Sequence, residues 1–452
     1  MAEHNLTKVG VARSNPVSRS KNGGISHVVR QRSAGPLFSN SNPDAASECN
    51  RPRRICMLVY SFYESDNRVL RYAETLVRRG DQVDVIALRR DDQPYREELQ
   101  DVRVFRIQER IKNERNELTY AFRILRFMLK ASILIARNHA MSPYDIVHVH
   151  NMPDFLVFSA LYAKRTGAKV ILDIHDVVPE LYATMFGRGR KGLFFKLMLL
   201  LEKVSVSFAD HVIVSNHVWQ DLVQERSVKN GKSSVILNYP DQRIFFRQAA
   251  RKDKSTFVIL YPGGLCHRQG VDIAVRAFAL IKDKLPGARF HIYGNGTGKE
   301  ELETLVSELG LNQRVLFKGS VPIREVAHEM AAADLGIEPK RNGLFGGDAM
   351  STKILEFMAV GVPVIASDTR VHKRYFNDNV LRFFRSGDEH DLADAILKVA
   401  QDEAYRNRLI EAATGFAADF SWERNQIAYL SVLDHLTAGE SKQPHGTVPK
   451  ME

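Results

Sequence analysis

From residue 53 onward, short runs rich in Val, Ile and Leu alternate with stretches whose apolar residues recur every three or four positions. Arg54-Ile-Cys-Met-Leu-Val-Tyr60 reads as a strand, and Asn67–Arg79 as a helix closed by Gly80. Val83–Ala87, Val102–Ile107, Ile146–His150, Val170–Ile174 and Val212–Ser215 continue the strand series, which ends at Val235–Leu237. Such runs are apolar throughout, as in a parallel sheet covered by helices on both faces. After a polar, charged stretch the pattern restarts with Phe257–Tyr261, Phe290–Tyr293, Val315–Phe317, Leu335–Ile337 and Val362–Ala366. Two successive series predict an α/β architecture of two doubly wound, Rossmann-like domains facing across a cleft, at 53–240 and 257–420 with a linker at 241–256. A helix over 421–438, with Trp422 as anchor, is expected to pack back on the first domain, ahead of a tail at 439–452.

Composition changes this picture only at the edges. The chain has 452 residues, more than one core usually serves, which agrees with two domains. Its net charge of +11 is uneven: residues 1–54 carry nine Lys/Arg against Glu3, Asp44 and Glu48, a net +6. This Ser-, Asn- and Gly-rich segment lacks apolar periodicity, so 1–52 is expected to be a disordered basic tail. It lacks the apolar centre of a secretion signal, and its charges are not interleaved with aromatics, which argues against a nucleic-acid partner. Cys49, Cys56 and Cys266 show neither a pairing pattern nor zinc spacing and read as thiols of a reducing, cytoplasmic compartment. No uncharged apolar run reaches the ~18 residues of a membrane span. Two stretches, Phe122–Arg137 and Gly187–Leu201, are nevertheless both apolar and basic. Each is either an ordinary helix packed on a sheet or one lying on an anionic membrane face.

Candidate chemistry gathers at strand ends. Asp348-Ala-Met-Ser-Thr-Lys-Ile-Leu-Glu356 runs into a short helix that Gly361 ends. Ser351 and Thr352 are N-cap types, and a helix start offers unpaired N–H groups and partial positive charge to a phosphate. Lys353 suits that phosphate and Glu356 suits paired ribose hydroxyls; the other reading of the two is an exposed i, i+3 salt bridge. Strand 257–261 leads into Gly263, Gly264 and Arg268, a glycine turn with either a phosphate clamp or a surface Arg. Ile292–Lys299 contains Gly294 but is not a P-loop, because Tyr293 stands where its first Gly belongs and Glu300 follows the Lys. It is expected as a turn near the base or ribose. In the first half, His175 ends the strand 170–174, where a His is either structural or functional. His148 and His150 are expected on alternate faces, one of them a structural partner, and Asp66–Val69 is a further ligand-contact loop. Metal chemistry is not expected: there is no Asp-x-Asp, no His-Glu-x-x-His and no Cys cluster.

These motifs together resemble the retaining, nucleotide-sugar-dependent glycosyltransferases of family 4 (group 1), which have the GT-B fold. The resemblance spans roughly 53–430 and is closest over Arg314–Pro322, Ala333–Pro339 and Ser351–Ser367. Asp145–His150, Asp173–Asp176 and Phe208–Ser215 match as well. It implies transfer of a sugar from a UDP- or GDP-sugar to a carbohydrate or lipid-linked acceptor, in polysaccharide or glycolipid assembly, without a metal or other cofactor. It further implies that Glu356 binds ribose, that Asp348 and His175 face the sugar, and that Ser351 and Thr352 meet the diphosphate. Two departures stand out: the first of the family's two glutamates is Asp348, and Gln269 replaces the usual Lys beside Arg268. A nucleotide-sugar 2-epimerase and a non-catalytic subunit of the same architecture are the alternatives.

Overall fold

The computed structural model describes residues 51–109, 117–185, 192–228, 231–248, 256–343 and 345–438. The tails, and residues 187–191 of the second basic apolar stretch, lie outside the described residues.

Among the described residues the first half contains eight strands: β1 Arg54–Val59, β2 Gln82–Arg89, β3 Arg96–Leu99, β4 Val102–Glu109, β5 Ile146–His150, β6 Lys169–Ile174, β7 His211–Val214 and β8 Ser233–Val235. Their order is β3-β4-β2-β1-β5-β6-β7-β8, parallel except for β3, which runs antiparallel to β4. Its helices are α1 Asn67–Arg78, α2 Glu117–Met141, α3 Leu161–Arg165, α4 Val178–Met185, α5 Leu193–Phe208 and α6 His217–Arg226. Val, Ile and Leu of the central strands are buried on both faces, which is why those strands read as unbroken apolar runs.

Among the described residues the second half has six parallel strands, β9 Phe257–Pro262, β10 Ala288–Tyr293, β11 Val315–Gly319, β12 Leu335–Glu338, β13 Val364–Ser367 and β14 Arg382–Phe384, in the order β11-β10-β9-β12-β13-β14. Around them lie α7 Val271–Ile281, α8 Lys299–Glu308, α9 Ile323–Ala332, α10 Thr352–Val360, α11 Arg370–Tyr375, α12 Glu389–Gln401 and α13 Glu403–Asp419. The strand order reverses between β1 and β5 in one sheet and between β9 and β12 in the other. In doubly wound sheets, ligands bind beyond the strand ends at such points.

The final helix, α14 Trp422–Thr437, returns to the first half, where Trp422, Tyr429 and Leu433 join the core against Tyr72 and Leu76 of α1. Two short edge strands, β3 and β14, were not legible in the sequence. β3 reads Arg-Glu-Glu-Leu and keeps one side in solvent, so it carries charge in place of an apolar run. β8 lies earlier than the predicted 235–237: Ile236 makes a last bond to Val214 of β7, and its side chain is buried in the core shared with α1.

Candidate active site in the cleft between the two sheets

On the second-half wall, β9 runs into Gly263 and Gly264, and β12 ends in Glu338, with Lys340 two residues on. Gly294 follows β10 with φ +124°, and a Cβ there would lie 1.9 Å from the Gly263 carbonyl oxygen, so the two glycine turns pack backbone to backbone. A Cβ on Gly263 would in turn meet Lys353 Nζ at 3.1 Å.

Lys353 is not paired with Glu356. Its ammonium lies 2.9 Å from Glu338 Oε2 and 4.8 Å over the Tyr261 ring, which removes the exposed salt bridge as a reading. Burial disfavours the Lys353 cation, but Glu338 and Tyr261 outweigh it and hold its pKa above the ordinary lysine value. Glu338, almost wholly buried, is pushed up by burial and pulled below the ordinary range by Lys353 and Lys340. Lys340, also buried, donates to the Ala349 carbonyl at 3.0 Å; burial drops its pKa to about 8 against the pull of Glu338. Gln269 Oε1 sits 3.5 Å from Lys353 Nζ, so a neutral acceptor occupies the place of a third ammonium. Arg268 forms no ion pair among the described residues; its guanidinium stands 5.6 Å over the Phe345 ring.

Ser351 is the N-cap of α10, yet its side chain does not cap the helix, and its buried Oγ has no hydrogen-bond partner. A helix start with an unspent hydroxyl and free N–H groups is suited to an anion. One turn on, Glu356 is half-buried in the cleft. Burial raises its pKa to about 7, opposed by Lys353, the Thr352 hydroxyl and Arg71. Asp348 lies elsewhere: its carboxylate forks with Arg370 at 2.9 and 3.0 Å, and its carbonyl accepts from Asn216 Nδ2 at 3.1 Å.

The first-half wall is built around Asp173 at the end of β6. Arg68 of α1 forks onto both its oxygens at 2.9 and 2.8 Å, while His150 Nδ1 and His175 Nε2 lie 3.1 and 3.0 Å from Oδ2. Burial would raise the Asp173 pKa, but Arg68, His175 and His150 hold it well below the usual carboxylate range. Placing the His175 Nε2 proton toward this anion leaves Nδ1, which has no partner among the described residues, as an acceptor. His148 and His150 lie on the same face, as residues two apart in a strand must, and not on alternate faces; their rings are tilted, with centres 4.1 Å apart. Together with Asp173 they bring ligand-type atoms within 4.8 Å, with the Arg68 cation also bonded to both Asp173 oxygens. His175, Arg68, Arg71, Thr352 and Glu356 line one cavity of about 320 Å³ between the sheets, with Tyr239 also in its wall.

Sequence reasoning missed Glu338, Lys340 and Arg71. A carboxylate ending an apolar strand next to the sheet's switch point was the available signal for Glu338; the two cations carried none.

Two family models match the chain: the glycosyl transferase 4-like domain over 65–238 and glycosyl transferases group 1 over 242–416. A D-inositol 3-phosphate glycosyltransferase of Nocardioides is 31% identical over 342 residues, covering 66% of this chain and 69% of that one. The chain belongs to the group 1 glycosyltransferases. Another relative of the chain is the phosphatidylinositol N-acetylglucosaminyltransferase gpi3 subunit of Schizosaccharomyces pombe. It is 27% identical over 316 residues, which span 68% of this chain and 64% of that subunit. Among solved structures, sucrose-phosphate synthase from Thermosynechococcus elongatus matches with a TM-score of 0.71 at 19% identity, over 85% of this chain and 99% of that one. Anabaena HepE in complex with UDP and glucose matches with a TM-score of 0.63 at 17% identity, over 84% and 99%. These likenesses establish the GT-B fold for the chain.

Proposed function

We propose that the protein transfers a sugar, with retention, from a UDP- or GDP-sugar to a carbohydrate or lipid-linked acceptor in polysaccharide or glycolipid assembly. The observation that carries this reading is the start of α10, where an unpartnered buried Ser351 hydroxyl, free helix N–H groups and Lys353 converge beside Glu356. In this reading the diphosphate rests on Ser351, Thr352 and the Gly263-Gly264 turn, with Arg268, Lys353 and Lys340 meeting the charge that grows as the bond to the sugar breaks. No metal ion is required for that. Glu356 as carboxylate accepts two ribose hydroxyls, and Gly294 lets the nucleoside approach the backbone. His175 Nδ1 accepts a hydroxyl of the transferred sugar. The family resemblance assigns Asp348 to the same sugar, which requires its carboxylate to leave the bidentate fork with Arg370 when the donor binds. The departing phosphate takes the acceptor proton, and closure of the halves excludes water. The ligands named for HepE, UDP and glucose, support the donor class.

A membrane-bound acceptor is favoured by α2, whose inner stripe of Ile124, Phe127, Ala131 and Ile135 is buried while Phe122, Leu125, Leu129 and Ile133 form an outer stripe, each at least half exposed. Arg126 and Arg137 flank that stripe, which suits the anionic inner face of a cell membrane. Among the described residues no helix is long and apolar enough to cross a membrane.

The test is nucleotide release from a panel of UDP- and GDP-sugars, with and without glycan and lipid-linked acceptors. Release that needs an acceptor is the expected result. Release with an epimerised sugar and no acceptor would sink the transferase reading, and binding without turnover would leave a non-catalytic subunit.

A further inference from the structure

Arg71 is spent on nothing. It lies on α1, three residues after Arg68 and therefore on the same helix face. Arg68 is fully used: besides the fork on Asp173, its Nη1 donates to the Ile236 carbonyl at 2.8 Å and to Asn238 Oδ1 at 3.0 Å. Arg71 is just as buried, 6% exposed, yet makes no hydrogen bond or ion pair among the described residues, and its Nε is enclosed without a partner. What surrounds it does not neutralise it. Its guanidinium stands 5.9 Å from the Trp422 ring centre. Asp241, a carboxylate on the first-half side that favours the Arg71 cation, is already forked by Arg243 at 2.7 and 3.0 Å. Glu356 faces it from the second half and is drawn toward its neutral form by burial. Burial and the adjacent Arg68 both work against the Arg71 cation. A guanidinium cannot escape by losing its proton, so a buried one without an anion marks a missing partner. Arg71 lines the same cavity of about 320 Å³ as His175, Thr352 and Glu356, and its planar fork matches the oxygens of a phosphate.

We propose that Arg71 is an anion receptor on the first-half wall of the cleft, binding a phosphate group of the ligand that the two halves enclose. That phosphate belongs either to the donor's diphosphate or to a phosphorylated acceptor. The site itself stands on the geometry of Arg71; only the choice of source rests on the function proposed above.

The test titrates inorganic phosphate and pyrophosphate into the full-length wild type and Arg71→Gln by calorimetry. The same titrations are repeated in an Arg268→Gln background, so that the glycine-turn site is not read in its place. Pyrophosphate affinity at least tenfold weaker in Arg71→Gln is expected, with Arg71→Lys between the two. The unliganded Arg71→Gln protein should melt no lower than wild type, because the change removes an uncompensated charge. Repeating the titration with UDP or GDP saturating assigns the source: loss of the Arg71-dependent binding identifies the donor diphosphate, and its persistence identifies an acceptor phosphate. Failure of both nucleotides to bind would overturn the proposed function while leaving the phosphate arm readable. Equal anion affinities in wild type and Arg71→Gln, or a clear drop in melting temperature with affinities unchanged, would show Arg71 to be packing for Trp422 and overturn the proposal.

Discussion

Glu356 illustrates how one carboxyl can link folding and binding. Its pKa moves from the ordinary 4.5 to about 7 on folding, with burial the main cause. Between those values the folded state holds a proton that the unfolded state has released. This group therefore lowers stability as pH rises through the window, by at most about 3 kcal/mol. Glu356→Gln keeps the shape and cannot ionise. Its melting temperature should equal that of wild type near pH 4.5 and exceed it above pH 7. Nucleotide affinity should behave in the opposite sense, because ribose hydroxyls are held by the carboxylate. Wild-type affinity for UDP or GDP should rise about tenfold between about pH 6 and about pH 8, following the ionised fraction, while Glu356→Gln stays weak and flat. Calorimetry at those two pH values reads both trends, and a wild-type affinity that ignores pH would remove Glu356 from the ribose.

At the scale of elements, what the sequence disclosed follows from what burial writes into it. Central strands buried on both faces, such as β1, β5 and β9, leave apolar runs that place them within a residue or two. Edge strands with one side in water, such as β3, leave no run. The start of α10 was legible because Ser351, Thr352 and Gly361 are local signals at both ends of a short helix. Lys353 was legible as a site residue but not its partner, since Glu338 arrives from β12 and only the sheet order brings them together. Arg71 was illegible for the same reason: on its own helix it is one more basic residue on an amphipathic face. α2 shows the limit of periodicity from another side. Its apolar positions divide into a stripe that the sheet covers and a stripe that it does not, a distinction only the fold makes. If the outer stripe docks on a bilayer, replacing Leu125, Leu129 and Ile133 by Ser should leave the melting temperature nearly unchanged. Sedimentation with vesicles containing anionic lipid should then fall several-fold, with turnover on a water-soluble acceptor retained. Equal sedimentation of variant and wild type would remove α2 from the interface.

The whole molecule is held by a chain that crosses between its halves twice. The first crossing follows β8 through Tyr239; the second comes at Ser421, where α13 on the second sheet hands over to α14 on the first. Trp422 is the first residue after that return. It is buried, donates from Nε1 to Thr75 Oγ1 at 2.9 Å, and packs edge-on against Tyr72 with ring centres 5.3 Å apart. Thr75 and Tyr72 lie on α1, the helix that carries Arg68 and Arg71 to the cleft, so the last helix of the chain braces one wall of the site. Trp422→Ala should cost about 3–5 kcal/mol in denaturant unfolding, the usual range for emptying a buried Trp site. Trp422→Phe keeps a ring but leaves Thr75 Oγ1 without the indole N–H, and should cost less, about 1–2 kcal/mol. The functional consequence separates bracing from mere packing. If Trp422 sets the place of α1, then Trp422→Ala, assayed well below its melting temperature, should raise KM for the donor while the fold is intact by circular dichroism. Because α10 stands on the other wall, binding of free nucleoside to Glu356 should change little. A variant that is destabilised yet keeps wild-type KM would show that α1 holds its position without α14, and that the return of the chain serves stability alone.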